Sequence, residues 1–242
     1  MEEIIRTKME TTSKQLNFKI NKSKIVFIIL SSLIVCFAIA SLDLVFHLSY
    51  VPKSAIKILL FILPVFLYKL IFKKSYLAQQ LKNPNKRNLK ISALIAVGVS
   101  LVIIGAYLIF KDFISAENIR DNLAKRENIY ANNFLYVALH IAFVNSLLEE
   151  IFFRAFVFYY LNKLNLRIFA YIYSSLLFSL YHVTTIAAWF DWWLNLIIIV
   201  SLFVVGIIFD YFCEKSNSFL APWFLHIVAN LSINGIAWFS IL

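Results

Sequence analysis

The stretch ISALIAVGVSLVIIGAYLIF, which runs from Ile91 to Phe110, decides the fold class of this chain. It has the length that a helix needs to cross the hydrocarbon core of a bilayer, and it contains no charged side chain. Within that core, every backbone N–H and C=O must be hydrogen-bonded inside the protein, which a helix achieves alone. The stretch therefore predicts a transmembrane helix.

Apolar runs of similar length lie on both sides of this stretch. Together they predict an all-α, polytopic membrane helix bundle with about seven transmembrane helices. The predicted helices are Ile25–Leu42, Ser54–Phe72, Ile91–Phe110, Phe134–Leu161, Leu166–Ala188, Trp192–Cys213 and Phe219–Leu242. The chain is thereby divided into three predicted regions. These are a basic N-terminal segment (1–24), the first three helices with their loops (25–133), and a membrane core with the candidate site (134–242). Lys57 and Lys69 lie near the ends of the second helix, where long amines can reach the interface.

The composition also predicts a lipid bilayer as partner. Of the 242 residues, 62% are hydrophobic and 15% are charged, whereas a soluble domain is about half apolar and a quarter charged. The net charge of +10 does not predict nucleic-acid binding, because the basic residues lie at the ends of apolar runs. Cys36 and Cys213 lie within or beside such runs, which argues against a disulfide or a cysteine-based metal site.

The lysine and arginine distribution predicts the orientation, because cytoplasmic loops of membrane proteins carry an excess of both. The N-terminal segment and the second, fourth and sixth loops carry Arg6, Lys8, Lys14, Lys19, Lys22, Lys24, Lys73, Lys74, Lys82, Lys86, Arg87, Lys90, Lys163, Arg167 and Lys215. On the other side, the first loop has Lys53, the fifth has no basic residue, and the third has four basic residues matched by four acidic ones. We therefore predict a multi-pass cell-membrane protein with a cytoplasmic N-terminus.

Ionisable side chains inside the predicted fourth, fifth and seventh helices mark a candidate functional site. Each such group costs about 2.5–3.5 kcal/mol at the centre of the bilayer on insertion scales. They form three clusters, namely Glu149, Glu150 and Arg154, then Phe178 with His182, then His226 with Asn230. The prediction places the site in a cavity formed by these three helices.

Helical phase separates the two carboxylates of the first cluster. Arg154 lies four residues after Glu150, on the same helix face, so these two side chains are predicted to pair. Glu149 is turned away from that face and has no local cation. An unpaired carboxylate in an apolar setting suits a general base. Asn145 lies one turn earlier and is predicted to orient Glu149.

The histidines and the asparagine supply the remaining chemistry. His226 and Asn230 share a face and can both donate hydrogen bonds to an oxyanion. His182 can join Glu149 in removing a proton from water. Purely structural roles for these residues remain open. A Glu–Arg pair can hold two helices together, and a histidine in a membrane helix can donate a hydrogen bond to a neighbouring helix. Buried ionisable groups also build proton relays and ion paths, so a non-catalytic scaffold or transporter remains the alternative function.

The ordered set of motifs resembles the CPBP family of intramembrane peptidases, named for CAAX proteases and bacteriocin-processing proteins. That family shows Glu-Glu-x-x-x-Arg, Phe-x-x-x-His and His-x-x-x-Asn on successive membrane helices. Here the motifs are Glu149-Glu150 with Arg154, Phe178 with His182, and His226 with Asn230.

The resemblance implies a glutamic-type endopeptidase that acts on a peptide or protein substrate. It implies that Glu149 and His182 activate water, that His226 and Asn230 form the oxyanion site, and that Glu150 with Arg154 supports it. The implied roles include processing of signalling or bacteriocin peptides and self-immunity, with prenylated CAAX proteins as the less favoured substrates. No His-Glu-x-x-His pair is present, so we expect no metal, with zinc as the minority alternative. We expect cleavage within or at the inner edge of the membrane, in a cavity open to the inner side.

Overall fold

In the computed structural model, the chain is helical between short loops. The structure describes residues 2–82 and 85–241, without the side chains of residues 2–19, 82, 86 and 89. No strand occurs among these residues, so the predicted all-α class is confirmed. The predictions for the side chains of Arg6, Lys8, Lys14, Lys19, Lys82 and Lys86 and for the end of the last helix at Leu242 lie outside the described part.

Ten α-helices, one of them with π-helical segments, and one short 3-10 helix (Lys111–Phe113) follow one another along the described part of the chain. The α-helices are α1 (Glu2–Leu44), α2 (Tyr50–Phe72), α3 (Leu77–Lys82), α4 (Lys86–Phe110), α5 (Ala116–Glu127), α6, α7 (Arg167–Tyr181), α8 (Val183–Ile186), α9 (Trp192–Ser216) and α10 (Leu220–Ser240). Helix α6 is a continuous run of the segments Phe134–Leu139, His140–Asn145, Ser146–Glu149, Glu150–Phe158 and Tyr159–Lys163. The short helices α3 and α5 were not predicted, because neither has an apolar run of membrane length.

Five stretches within the described residues are long and apolar enough to cross a membrane. They are Ile20–Leu44, Tyr50–Phe72, Lys90–Phe113, Trp192–Ser216 and Leu220–Ser240. The chain is therefore a multi-pass membrane protein, as predicted. The predicted fourth and fifth helices form as α6 and α7, but neither belongs to this group. Helix α6 is divided by its π-helical segments, and α7 has only 15 residues and ends before His182. The count of seven spans remains a prediction.

Helix α6 is the centre of the bundle. Two of its segments, His140–Asn145 and Glu150–Phe158, are π-helical, a widened form in which hydrogen bonds join residues five apart. Residues 152–161 of α6 are all buried. Aromatic rings fill the space around them, as where the ring centroids of Phe61 and Phe152 lie 4.9 Å apart. An aromatic layer packed on all sides of one helix leaves little room for water in this half of the bundle.

The loops gather into two groups at opposite ends of the bundle. At one end, Lys53 Nζ contacts Asp43 and Glu127, and Asn118 donates to the backbone of Ala188 and Trp189. We call this the α5 end, comprising residues 43–53, 111–133 and 184–191. The other end joins residues 73–86, 163–167 and 214–219, as shown by the Asn85 N–H, which donates to the carbonyl of Ser216 at 2.8 Å. We call it the α3 end.

Candidate active site

Glu149 is a buried carboxylate whose two oxygens have different surroundings. Its side chain is 2% exposed. Oε1 accepts hydrogen bonds from Asn145 Nδ2 at 2.5 Å and from the Tyr181 hydroxyl at 3.3 Å. The predicted contact between Asn145 and Glu149 is therefore present, whereas Tyr181 was missed. Two donors on one oxygen fix the rotamer of the carboxylate and leave the other oxygen free.

The second oxygen of Glu149 faces two histidines. Oε2 lies 3.8 Å from Nε2 of His182 and 3.8 Å from Nε2 of His226. It is buried and has no hydrogen-bond partner among the described residues. Separations of 3.8 Å are too long for direct hydrogen bonds, so Oε2 is bonded to neither ring. Three groups from α6, the end of α7 and α10 thus converge on one point.

His182 follows the last residue of α7, and the helix backbone sets the state of its ring. Nδ1 lies 2.8 Å from the carbonyl oxygen of Phe178, one turn earlier. Because a carbonyl only accepts, Nδ1 carries the hydrogen. In the neutral ring, Nε2 is then a free acceptor that points at Glu149. His182 can take a hydrogen bond from a water held by Glu149.

His226 is held by the second carboxylate. Its Nδ1 lies 2.9 Å from Oε1 of Glu150, so Nδ1 donates to that carboxylate. The same oxygen lies 3.3 Å from Nη1 of Arg154, and this predicted pairing is present. Glu150 is therefore more than a clamp for Arg154, because it also orients the imidazole ring. Helical phase could not reveal this contact, since His226 is 76 residues away in the sequence.

Arg154 sits in a fully buried setting that includes a carboxylate missed by the sequence analysis. Its Nε lies 3.5 Å from Oδ1 of Asp210, and both side chains are 0% exposed. The guanidinium carbon lies 4.0 Å from the ring centroid of Phe178 and 5.0 Å from that of Phe209. Asp210 was detectable as an acidic residue inside the apolar run of the predicted sixth helix. Phe178 connects the Arg154 network with His182. Its ring stacks on the Arg154 guanidinium, and its backbone carbonyl accepts a hydrogen bond from His182.

Asn230 lies in the same cavity, but among the described residues its hydrogen bond is to the backbone and not to another predicted site residue. Its Nδ2 donates to the carbonyl oxygen of Ile141 on α6 at 3.3 Å. An amide nitrogen has two hydrogens, so one donor remains for a ligand. The backbone contact holds the side chain one helical turn from His226 on α10.

These residues line one cavity of ≈ 240 Å³. Its walls include the predicted residues Asn145, Glu149, His182, His226 and Asn230. They also include Tyr50, Lys53 and Lys57 from α2, and Leu123 and Glu127 from α5, two helices that the prediction left out of the cavity. The expectation that Lys57 reaches the membrane interface is wrong, because its Nζ points inward and donates to the Tyr181 hydroxyl at 2.9 Å.

The cavity lies towards the α5 end of the bundle. Tyr50, Lys53, Glu127 and Trp189 line it there, and none of its described lining residues belongs to the loops of the α3 end. The predicted basic, cytoplasmic loops are those of the α3 end. The cavity therefore lies at the end opposite to these basic loops, and the cytoplasmic N-terminus and the opening to the inner side both remain predictions.

Glu149, His182 and His226 lie at a similar depth along the bundle, although they are at different distances from the ends of their helices in the sequence. The loop before α10 partly explains why His226 reaches the depth of Glu149. In this loop, Asn217 accepts a hydrogen bond from the Tyr159 hydroxyl at 2.5 Å. Tyr159 is four residues before the end of α6, so α10 begins inside that end. His226, six residues after the start of α10, can therefore reach Glu150 in the middle of α6.

The donor set of Glu149, His182 and His226 is chemically suited to zinc, so its geometry decides the fit. Two ligands on a tetrahedral zinc ion at about 2.0–2.1 Å lie about 3.3 Å apart. The two nitrogen–oxygen separations are 3.8 Å. Among the described residues, no group of three His, Cys, Asp or Glu side chains is arranged to hold a metal ion. In this arrangement, Glu149, His182 and His226 do not fit a metal ion. Metal independence of the activity remains a prediction.

A comparison with protein families found a match over part of the chain. Residues 131–232 match the family described as type II CAAX prenyl endopeptidase Rce1-like. The match is consistent with a CPBP family intramembrane peptidase and confirms the predicted resemblance. The matched region contains every predicted site residue. We found no match for the chain among curated proteins, and none among solved structures.

Proposed function

Starting from a chain whose core is Rce1-like, we propose that this membrane protein is an intramembrane endopeptidase that uses water activated by Glu149 and His182. One observation carries the proposal. Oε2 of Glu149 is buried, lacks a hydrogen-bond partner among the described residues and faces two imidazole nitrogens at 3.8 Å. A buried acceptor left unsatisfied costs about 1–3 kcal/mol or more, which a bound water would relieve.

In the first step, Glu149 acts as the general base. A water between Oε2 and Nε2 of His182 gives one proton to Oε2 and directs its second hydrogen towards the imidazole. The resulting hydroxide attacks the carbonyl carbon of the peptide bond. Asn145 and Tyr181 keep the carboxylate in place during the transfer, because both bind the other oxygen. Positioned acid–base groups of this kind contribute about 10²–10⁴-fold to the rate.

His226 and Asn230 stabilise the negative charge that develops on the carbonyl oxygen. Nδ1 of His226 already donates to Glu150, so Nε2 can donate only when the ring carries both hydrogens. Asn230 contributes the hydrogen that it does not give to Ile141. Donors preorganised in a water-poor site stabilise such an oxyanion strongly.

In the last step, the proton returns from Glu149 to the leaving nitrogen. The carbon–nitrogen bond breaks, and the products are a carboxylic acid and an amine. Glu149 is thereby restored to its ionised form, so each turnover consumes one water and no co-reactant. The substrate is a peptide or protein segment associated with the membrane, since a cavity of ≈ 240 Å³ admits a short extended segment and no folded domain.

The decisive experiment measures peptide cleavage by the purified protein in detergent or liposomes. Glu149→Gln and His182→Ala are each expected to reduce kcat by at least about 10²-fold, because each removes a group that activates the water. Glu117→Gln is the matched control, since Glu117 is an exposed carboxylate on α5. Cleavage at the wild-type rate by Glu149→Gln contradicts the catalytic role.

The substrate class is tested with the same preparation. The matched family is described as a CAAX prenyl endopeptidase, so a prenylated CAAX peptide is compared with non-prenylated membrane peptides. We propose the latter as substrates, with processing or self-immunity to a bacteriocin as the physiological role. Accumulation of an uncleaved peptide in a deletion strain would identify the natural substrate.

A chelator distinguishes the proposed mechanism from its zinc-dependent alternative. We expect cleavage to persist after treatment with a chelator, because the placed Glu149, His182 and His226 are too far apart to share one ion. Activity that disappears with the chelator and returns with added zinc would favour the metal-dependent mechanism.

A non-catalytic scaffold or transporter is the second candidate function. The fully buried network of Glu150, Arg154 and Asp210 favours it, because such networks also stabilise helix bundles without chemistry. A cellular phenotype that survives Glu149→Gln and His182→Ala but is lost in Arg154→Met would support this alternative.

A further inference from the structure

The position of the cavity and the charge of the two ends of the bundle together define the side from which a substrate enters. The cavity is bounded at the α5 end by Tyr50, Lys53, Glu127 and Trp189. These residues belong to three loop regions that contact one another. Tyr50, Glu127 and Trp189 are only half-buried, so the cavity comes nearest to the surface at this end.

Aromatic packing closes the opposite direction. Beyond Glu149 along α6, Phe152, Phe153 and Phe156 are all 0% exposed. Arg154 is also 0% exposed and lies between the rings of Phe178 and Phe209. A close-packed interior of this kind has no passage as wide as a peptide. The path from the α3 end to Glu149 is therefore blocked.

The two ends carry different charge. The α3 end together with the N-terminal segment holds thirteen lysines and arginines, and the α5 end holds five, namely Lys53, Lys111, Arg120, Lys125 and Arg126. The acidic residues at the α5 end, Asp43, Asp112, Glu117, Asp121, Glu127 and Asp191, outnumber these five. An excess of basic residues in short loops marks the cytoplasmic side. The α3 end is thereby assigned to the cytoplasm.

We infer that the cavity opens to the non-cytoplasmic side of the membrane and takes an exported or extracytoplasmic peptide segment. The direction of access rests on the cavity and the charge asymmetry. The statement about the peptide also rests on the proposed function. A protease facing outwards acts on segments after their export, so cytoplasmic peptides do not reach it.

Site-directed labelling in intact cells tests the direction of access without requiring activity. Cys36 and Cys213 are first replaced by alanine. A single cysteine is then introduced at Thr185 in the cavity wall, at exposed Asn128 of the α5 end, or at exposed Ser75 of the α3 end. The probe is a membrane-impermeant maleimide, applied before and after the cells are permeabilised.

Thr185→Cys and Asn128→Cys are expected to react in intact cells, and Ser75→Cys only after permeabilisation. Reaction of Ser75→Cys in intact cells, with Asn128→Cys protected, overturns the orientation. Failure of Thr185→Cys to react from the side that labels Asn128→Cys overturns the access route. The same pattern is expected with Glu149→Gln present, so a failure of the proposed catalysis is distinguished from a failure of this inference.

Discussion

Single side chains determine which atoms of the site are free to react. The carbonyl of Phe178 fixes the hydrogen of His182 on Nδ1, and Glu150 does the same for His226. Each histidine therefore presents Nε2 to Glu149, although the two rings come from different helices. Asn145 and Tyr181 bind Oε1 of Glu149, so the buried Oε2 faces both rings without a hydrogen bond of its own. Four supporting contacts thus orient three reactive groups.

Lys57 extends this arrangement through Tyr181. Its Nζ donates to the Tyr181 hydroxyl at 2.9 Å, and that hydroxyl donates to Glu149 at 3.3 Å. Lys57→Met is expected to lower kcat about tenfold with little change in KM, because a hydrogen bond to a charged group is worth about 1.5–3 kcal/mol. Steady-state cleavage kinetics measure the effect.

Three further variants separate a positioning role of Lys57 from a structural one. Lys57→Arg should recover part of kcat, because it restores a cation. Combining Lys57→Met with Tyr181→Phe should add little to either alone, because both interrupt one chain of contacts. Lys69→Met, at an exposed position of the same helix, should leave kcat unchanged. A change in KM alone would show that Lys57 binds substrate and does not position Glu149.

At the scale of elements, close packing of α7 against α9 supports the carboxylate behind the site. Ser174 and Ser175 of α7 donate to the two oxygens of Asp210 on α9, each at 3.1 Å. The helices approach closely because Gly206 of α9 faces Ser175. A Cβ atom at Gly206 would lie 2.9 Å from both Cα and Cβ of Ser175. Small residues at such contacts are a common means of packing membrane helices.

Gly206→Ala is therefore expected to destabilise the protein by about 1–3 kcal/mol, the usual cost of overpacking. It should also lower activity, because separating α7 from α9 displaces Asp210 and with it Arg154. Thermal unfolding in detergent measures the first effect and peptide cleavage the second. Gly105→Ala on α4 is the matched control, since nothing lies within 4 Å of its added Cβ. Equal stability of the two variants would contradict the importance of this contact.

At the scale of the whole molecule, a buried ion triad joins distant parts of the chain at the mouth of the cavity. Lys53 Nζ lies 2.7 Å from Asp43 and 2.6 Å from Glu127. Thr184 of α8 donates to the other oxygen of Asp43 at 3.0 Å. The triad thus links the end of α1, the start of α2, the end of α5 and α8, which together form the rim.

Lys53→Met is expected to lower the stability of the protein by about 3–5 kcal/mol, because it leaves the buried Asp43 and the half-buried Glu127 without their cation. The measurement is thermal unfolding in detergent. Lys125→Met is the control, because the pair of Lys125 and Asp121 is exposed and such pairs contribute about 0–1 kcal/mol. If both variants unfold at the wild-type temperature, the triad does not hold the rim together.

The sequence alone determined the membrane character, the helical class and the ionisable residues Glu149, Glu150, Arg154, His182 and His226 of the candidate site, but not Tyr181, Asp210 or Lys57. These follow from local properties, since apolar runs of membrane length demand helices and ionisable groups inside them are costly enough to be rare. Spacing along one helix was also sufficient for the contacts of Asn145 with Glu149 and of Glu150 with Arg154. Each of these pairs is four residues apart.

The tertiary structure alone decided which groups meet across helices and where the cavity lies. Glu150 with His226, Arg154 with Asp210 and Lys57 with Tyr181 are contacts between residues far apart in the sequence. Helical periodicity carries no information about such pairs, because they depend on the tilt and depth of each helix in the bundle. For the same reason, only the packed bundle placed the cavity at the α5 end and closed the path from the α3 end.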